Sequence, residues 1–409
     1  MKYAVVGKSL PHTISPSLHG MLGNSSYGVR EFASDEELAT FVRSKTCKGY
    51  NVTIPYKQTI MPLLDEIDDE ARAIGAVNTV VQAGDRLVGY NTDIGGVRLA
   101  FKTAGIEVKG KKALILGSGG TAKTVGFFLE TAGAKSVDVV SRTGKLNYQN
   151  VYEMKDTQII VNTTPVGTLS IEKPLALSSF EKLEGVFDAI YNPLETALVR
   201  EARSLGVKAA NGLVMLVEQG RLAHNIFASK NSDLKIWGEE KTLEIVGALE
   251  NERENVVLVG MAGCGKSTLG RLLAKRLGKS FVDLDEEIEK REKKTIPEIF
   301  AESGERGFRN IESEVVAEFC MRAGQVVATG GGAVLDEKNV EYMKSNGKIV
   351  FVRRDVEKLA RKGRPLSKDL ETVKELFEKR EPIYTRISDF EIDNNGNIED
   401  TVDNILKSI

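Results

Sequence analysis

Ala113-Leu114-Ile115-Leu116-Gly117-Ser118-Gly119-Gly120-Thr121-Ala122 reads as a buried strand that runs into a glycine-rich turn and then a helix. The same order returns at Val256-Val257-Leu258-Val259-Gly260-Met261-Ala262-Gly263-Cys264-Gly265-Lys266-Ser267. Both turns offer backbone N–H groups and a helix amino terminus to a phosphate. Gly117-x-Gly119-x-x-Ala122 is the G-x-G-x-x-G/A form, whose glycines let the backbone approach a pyrophosphate, so the first loop fits a dinucleotide. Gly260-x4-Gly265-Lys266-Ser267 is a full Walker A loop, which fits a nucleoside triphosphate with magnesium. A chain that carries both reads as two enzymes joined.

Around these loops, short apolar runs alternate with helical patterns nearly throughout, the signature of parallel α/β units. Strands are predicted at Tyr3 to Val6, Gly28 to Phe32 and Gly49 to Val52, with a helix from Ser34 to Val42 opened by the capping box Ser34-x-x-Glu37. From Lys112 the rhythm restarts: strand, glycine loop, helix, then strands at Ser136 to Val140 and Thr157 to Val161. The stretch from Ser229 to Asn255 is rich in Lys, Glu and Asn, holds the single Trp237, and ends in the charged run Glu250 to Glu254. It reads as a helical or irregular connector. The predicted fold is therefore α/β in three parts. An α/β substrate domain covers 1–93, a Rossmann dinucleotide domain covers 94–212, and a helix over 213–228 returns to the first. After a connector at 229–254, a P-loop domain with a parallel sheet fills 255–409.

A length of 409 residues exceeds what one hydrophobic core usually supports. The net charge of -2 gives no general reason to bind nucleic acid or an anionic membrane, so anion binding must be local. Cys47, Cys264 and Cys320, with His12, His19 and His224, have neither disulfide nor zinc spacing. The amino terminus lacks a secretory apolar stretch and no run is long enough to span a bilayer, so a cytoplasmic protein is predicted. A homo-oligomer is compatible with the sequence.

The strand after the first loop ends Val139-Val140-Ser141-Arg142-Thr143-x-Lys145, where an NAD site would carry Asp or Glu. Arg142 with Lys145 suits a 2′-phosphate, since guanidinium can grip phosphate at two points. The predicted cofactor is NADP. Its contacts are Gly117, Ser118, Gly119, Gly120, Thr121 and Ala122 in the loop, and Ser141, Arg142, Thr143 and Lys145 after the strand.

Short polar strings cluster early: His12-Thr13-Ile14-Ser15-Pro16-Ser17, Asn51-Val52-Thr53-Ile54-Pro55-Tyr56-Lys57, Gly75-Ala76-Val77-Asn78-Thr79 and Asn91-Thr92-Asp93. They hold the hydroxyls, amides, Lys and Asp that suit a small polyhydroxylated acid. With Asp188-x-x-Tyr191-Asn192-Pro193-x-x-Thr196 and Glu218-Gln219-Gly220, they make residues 1 to 228 resemble the shikimate dehydrogenase family. The resemblance implies reduction of 3-dehydroshikimate to shikimate, with Lys57 and Asp93 as the catalytic pair. It also implies that Thr13 and Ser15 bind the substrate carboxylate, that Asn51, Thr53, Asn78 and Gln219 bind ring hydroxyls and ketone, and that Tyr191 lines the pocket. Thr13 departs from the family, which commonly has serine there.

Downstream of the Walker loop come Phe281-Val282-Asp283-Leu284-Asp285, Gly304-Glu305-x-x-Phe308-Arg309-x-x-Glu312, Gly330-Gly331-Gly332, Arg364-Pro365-Leu366 and Arg380-x-x-x-Tyr384. This set looks like shikimate kinase over about 255 to 409. By that resemblance Gly263, Cys264, Gly265, Lys266, Ser267 and Thr268 bind ATP, with Arg361 stacking on adenine. Ser267 and Asp283 hold Mg2+, and Asp285 orients the attacking hydroxyl. Arg309 and Arg380 pair with the shikimate carboxylate, Gly330, Gly331 and Gly332 approach the ring, and Arg364 reaches the transferring phosphoryl group. Only two residues separate Arg361 from Arg364, a shorter lid than the family usually has. Two other readings stand beside the bifunctional one. One is a quinate/shikimate oxidoreductase fused to a kinase of another polyol acid; the other is a ligand sensor without turnover.

Overall fold

The computed structural model describes residues 2–11, 13–230, 233–359 and 370–409. The chain divides into two compact units. The first comprises Met1–Val166, Lys173–Tyr191 and Leu198–Ala248; the second comprises Gly167–Glu172, Asn192–Ala197 and Leu249–Ile409.

The first unit holds two sheets. One is built from β1 (Tyr3–Gly7), β2 (Tyr27–Glu31), β3 (Gly49–Val52), β4 (Glu66–Ile67), β5 (Thr79–Ala83) and β6 (Arg86–Tyr90), in the order β2-β1-β3-β5-β6-β4. Its helix Asp35–Ser44 starts where predicted: the Ser34 hydroxyl accepts the Glu37 N–H, and Leu38 and Val42 are buried one turn apart. Not every pairing is parallel. β5 runs antiparallel to β3 and to β6, joined by the two-residue link Gly84-Asp85 with Gly84 at φ +62°. The hairpin escapes the sequence reading because β5 starts buried residue after residue, so the alternation that marks an antiparallel strand is weak. The predicted Gly28 to Phe32 strand is shifted by one residue, and Thr157 to Val161 becomes Ile159–Asn162.

The second sheet is all parallel. Its strands β7 (Lys112–Leu116), β8 (Ser136–Val140), β9 (Ile159–Asn162), β10 (Gly185–Asp188) and β11 (Lys208–Ala210) lie in the order β11-β10-β9-β7-β8. Strand order reverses between β7 and β9, which opens a crevice beyond their carboxyl ends. The helix Leu213–Ser229 then returns to pack on Asp93–Ala104 and on the helix Ser15–Met21.

The predicted connector is largely ordered. Before the helix Glu239–Arg253, the Trp237 indole N–H donates to the Leu22 carbonyl at 2.9 Å and Lys235 lies over the ring. Buried Arg221 grips Glu218 with two nitrogens and donates to the Trp237 carbonyl at 2.6 Å. Residues 233–248 are thus fastened to the first unit.

In the second unit, β12 (Asn255–Val259), β13 (Ser280–Asp283), β14 (Gln325–Ala328), β15 (Gly347–Arg353) and β16 (Phe390–Asp393) form a parallel sheet of order β13-β14-β12-β15-β16. β12 is central and buried along its whole length, so the loop that follows it starts from the most rigid strand available. Among the described residues no helix is long and apolar enough to cross a membrane.

Candidate active sites

Lys57 lies just beyond β3, and Asp93 is the first residue of the helix Asp93–Ala104. The Lys57 ammonium donates to Asp93 Oδ2 at 2.6 Å, with the two side chains only 13% and 6% exposed. The helix amino terminus favours the carboxylate, which keeps Asp93 tolerable in so buried a place. A cavity of about 160 Å3 opens at this pair. Ser15, Asn51, Thr53, Asn78, Tyr191 and Gln219 line it with Lys57 and Asp93, although they come from positions 15 to 219. Thr13 is not among the lining residues, but its hydroxyl meets that of Ser15 at 3.2 Å and accepts the Ser15 N–H. Val5, Ala189, Met215 and Leu216 also line the cavity. Sequence reasoning missed them, because they sit in apolar runs that look the same as core.

The first glycine loop opens beside this cavity. Thr121 lines it, and a Cβ on Gly120 would lie 3.5 Å from Lys57 Cδ. Gly117 has φ +104°, and a Cβ there would come within 2.8 Å of Thr163 Oγ1. Only glycine lets the loop pass the end of β9 so closely. The helix Gly120–Thr131 has no side-chain cap, so its first N–H groups are not taken by a capping side chain. Arg142, Thr143 and Lys145 are exposed after β8, and neither Arg142 nor Lys145 forms an ion pair among the described residues. An uncapped helix end and two unspent cations fit the phosphates of NADP.

The Walker loop borders a second cavity, of about 210 Å3. Gly263, Gly265, Lys266, Ser267, Thr268, Asp283 and Asp285 line it, joined by Ala262, Thr329 and Gly331. Lys266 is 7% exposed, and its ammonium donates to the Gly260 and Met261 carbonyls at 2.8 and 2.9 Å. The lysine therefore sits at the centre of its own loop. Asp283 caps the helix Leu284–Glu292 by accepting the Asp285 N–H at 3.1 Å, so one element fixes both carboxylates. A hydroxyl and carboxylates facing one cavity fit Mg2+, which takes oxygen ligands. The Cys264 side chain is fully buried in the core and does not line the cavity; its carbonyl accepts from Asn394.

Arg309 is held by buried Glu312, 2.5 Å between Nη1 and Oε2. Burial pushes the Glu312 carboxyl up, and the Arg309 charge opposes this. Gly332 lets the Arg309 guanidinium lie against the backbone: a Cβ there would fall 2.2 Å from Nη2 and push the side chain aside. Arg380 Nη1 donates to the Gly331 carbonyl at 3.2 Å, and the Tyr384 hydroxyl donates to the same oxygen. Both arginines thus converge on the triple glycine. Arg361 and Arg364 lie outside the described residues.

Comparison with known proteins matches both parts. Residues 5–80 match the model of the shikimate dehydrogenase substrate binding domain, and residues 262–409 match the model of shikimate kinase. Shikimate dehydrogenase (NADP(+)) of Carboxydothermus hydrogenoformans is 35% identical over 263 residues, 57% of this chain and 93% of that protein. A chorismate mutase/shikimate 5-dehydrogenase fusion protein from Clostridium acetobutylicum superposes with a TM-score of 0.55 at 34% identity, covering 60% of this chain and 96% of that one. Shikimate 5-dehydrogenase from Thermus thermophilus, solved with NADP(H) and shikimate, gives 0.53 at 31% identity, covering 60% and 98%. With the ion pair, the glycine crevice and the Walker loop in place, the chain belongs to the shikimate dehydrogenase family and carries a shikimate kinase domain fused behind it.

Proposed function

We propose that this enzyme carries out two consecutive reactions. In the first, NADPH reduces 3-dehydroshikimate to shikimate; in the second, Mg-ATP phosphorylates shikimate at its 3-hydroxyl. The observation that carries the reading is that each cavity gathers charged and polar side chains next to its own phosphate loop: Lys57, Asp93 and three amides in the first, and Lys266, Ser267, Asp283 and Asp285 in the second. NADPH bound in the crevice supplies the hydride. Lys57 donates the proton that the developing alkoxide needs, and Asp93 holds it in place. Ser15 with Thr13 receives the carboxylate, while Asn51, Thr53, Asn78 and Gln219 read the ring and Tyr191 walls it.

In the kinase reaction the residues position charge. Lys266 meets the β and γ phosphates, Ser267 and Asp283 hold the metal, and Asp285 orients the 3-hydroxyl. Arg309 and Arg380 receive the carboxylate, and Arg364 follows the phosphoryl group. We place the working boundaries at 1–93 with the returning helix 213–228, 94–212, a connector at 229–254, and 255–409.

The choice of NADP rests on Arg142. Arg142→Ala is expected to raise KM for NADPH about tenfold or more, the loss of a charge-assisted pair to the 2′-phosphate, with KM for NADH unchanged. Equal effects on both cofactors would refute that assignment. The full reading is tested by incubating the chain with 3-dehydroshikimate, NADPH and Mg-ATP and assaying for shikimate 3-phosphate.

A further inference from the structure

Three amides line the first cavity, those of Asn51, Asn78 and Gln219. An amide can turn either its oxygen or its NH2 to a ligand, so something must decide which. Here backbone groups with a single role do so. The Thr92 N–H can only donate, and it donates to Asn78 Oδ1 at 2.7 Å. Asn78 Nδ2 is therefore left to donate to Gln219 Oε1, at 3.5 Å. The Leu216 carbonyl can only accept, and it takes Gln219 Nε2 at 2.8 Å. The Asn78 carbonyl accepts from Asn51 Nδ2 at 3.4 Å, and Thr79 Oγ1 accepts from the same nitrogen at 3.0 Å. Thr79 spends its own proton on the Asn78 and Thr92 side, where Asn78 Oδ1 is 3.0 Å away.

This order leaves Asn51 Oδ1 at the far end, where the Tyr27 hydroxyl donates to it at 2.7 Å. Tyr27 is buried and does not line the cavity. The His19 ring stacks on it, 3.8 Å between centroids at 7°. Burial, first of all, pushes His19 down to about 3, so a neutral ring backs the tyrosine at ordinary pH.

We propose that Tyr27 is a positioning residue for the dehydrogenase substrate: by donating to Asn51 Oδ1 it holds in place, against the cavity, the amide whose ends the Asn78 carbonyl has already assigned. The proposal rests on the reading of this cavity as the shikimate site. Without the hydroxyl, Asn51 Oδ1 loses its 2.7 Å donor, and the amide is held only through Nδ2 and by the neighbouring His19 side chain. The signals lie at positions 27, 51, 79 and 92, so no local motif announces them.

The test uses the full chain with shikimate and NADP+, in an Arg309→Ala, Arg380→Ala background that removes the carboxylate partners of the kinase site, so that calorimetry reads the dehydrogenase cavity. Tyr27→Phe is expected to raise both KM and the calorimetric Kd for shikimate about fivefold, the weight of one buried hydrogen bond, with kcat within about twofold. In an Asn51→Ala background the same substitution should change neither constant, because the group it positions is gone. An unchanged KM and Kd, an equal loss in the Asn51→Ala background, or a loss confined to kcat would each overturn the proposal. Background chain with Tyr27 intact that binds no shikimate would overturn the reading of the cavity itself. Normal binding by that chain beside an unaffected Tyr27→Phe would sink only the role of Tyr27.

Discussion

Lys57→Ala is expected to lower dehydrogenase kcat by about 10² to 10⁴-fold, the usual contribution of a positioned proton donor, while kinase kcat in the same sample stays unchanged. The proposed donor is Lys57, whose ammonium lies 2.6 Å from Asp93 inside the cavity, next to the loop that would hold the cofactor. In the proposed reaction the part of Asp93 is to hold the lysine. The two act as one unit, so their losses should not add. Lys57→Ala combined with Asp93→Asn should be no slower than Lys57→Ala alone. A double variant slower by the product of the two effects would show that Asp93 does separate work. The retained kinase activity serves as the control for folding. Steady-state rates with shikimate and NADP+, then with shikimate and Mg-ATP, give both numbers.

The second large effect is the mirror image. Lys266→Met should cut kinase kcat roughly 10³-fold or more, the scale of losing one preorganised charge at a transition state, and spare the dehydrogenase. Lys266 is braced on the Gly260 and Met261 carbonyls of its own loop, so its charge is already placed where phosphate oxygens would arrive. Met keeps much of the length of the side chain but carries neither charge nor donors, and the two carbonyls lose their partner. Some loosening of the loop belongs to the expected result. If the substitution also slowed the dehydrogenase in a chain that remains folded, the independence of the two reactions would fail.

Much of this protein is written locally. The strand-loop-helix order at Ala113–Ala122 and Val256–Ser267 announces two parallel sheets, because the apolar run, the glycines and the helix start are contiguous in sequence. The position of Arg142, two residues past β8, is legible for the same reason. The β5–β6 hairpin was not legible, since both of its strands are largely buried and lack alternation. The strings around Lys57, Asn78 and Asp93 could be named only by resemblance. Their meeting in one cavity depends on the return of the helix Leu213–Ser229, which brings Gln219 to Asn78 across 141 positions. The ordered stretch before Glu239 escaped for a related reason: its hold comes from Arg221 and Leu22, distant partners that composition does not reveal. Tyr27 was invisible because its role is the end of a hydrogen-bond order set by backbone groups elsewhere.

The central claim is that one chain makes shikimate and consumes it. Wild-type protein supplied with 3-dehydroshikimate, NADPH and Mg-ATP should yield shikimate 3-phosphate, with NADPH oxidised and ADP released in equal amounts. With Lys266→Met the same mixture should stop at shikimate. NADPH oxidation without any phosphorylated product from the wild-type chain, or phosphorylation of some other acid in preference to shikimate, would contradict the account.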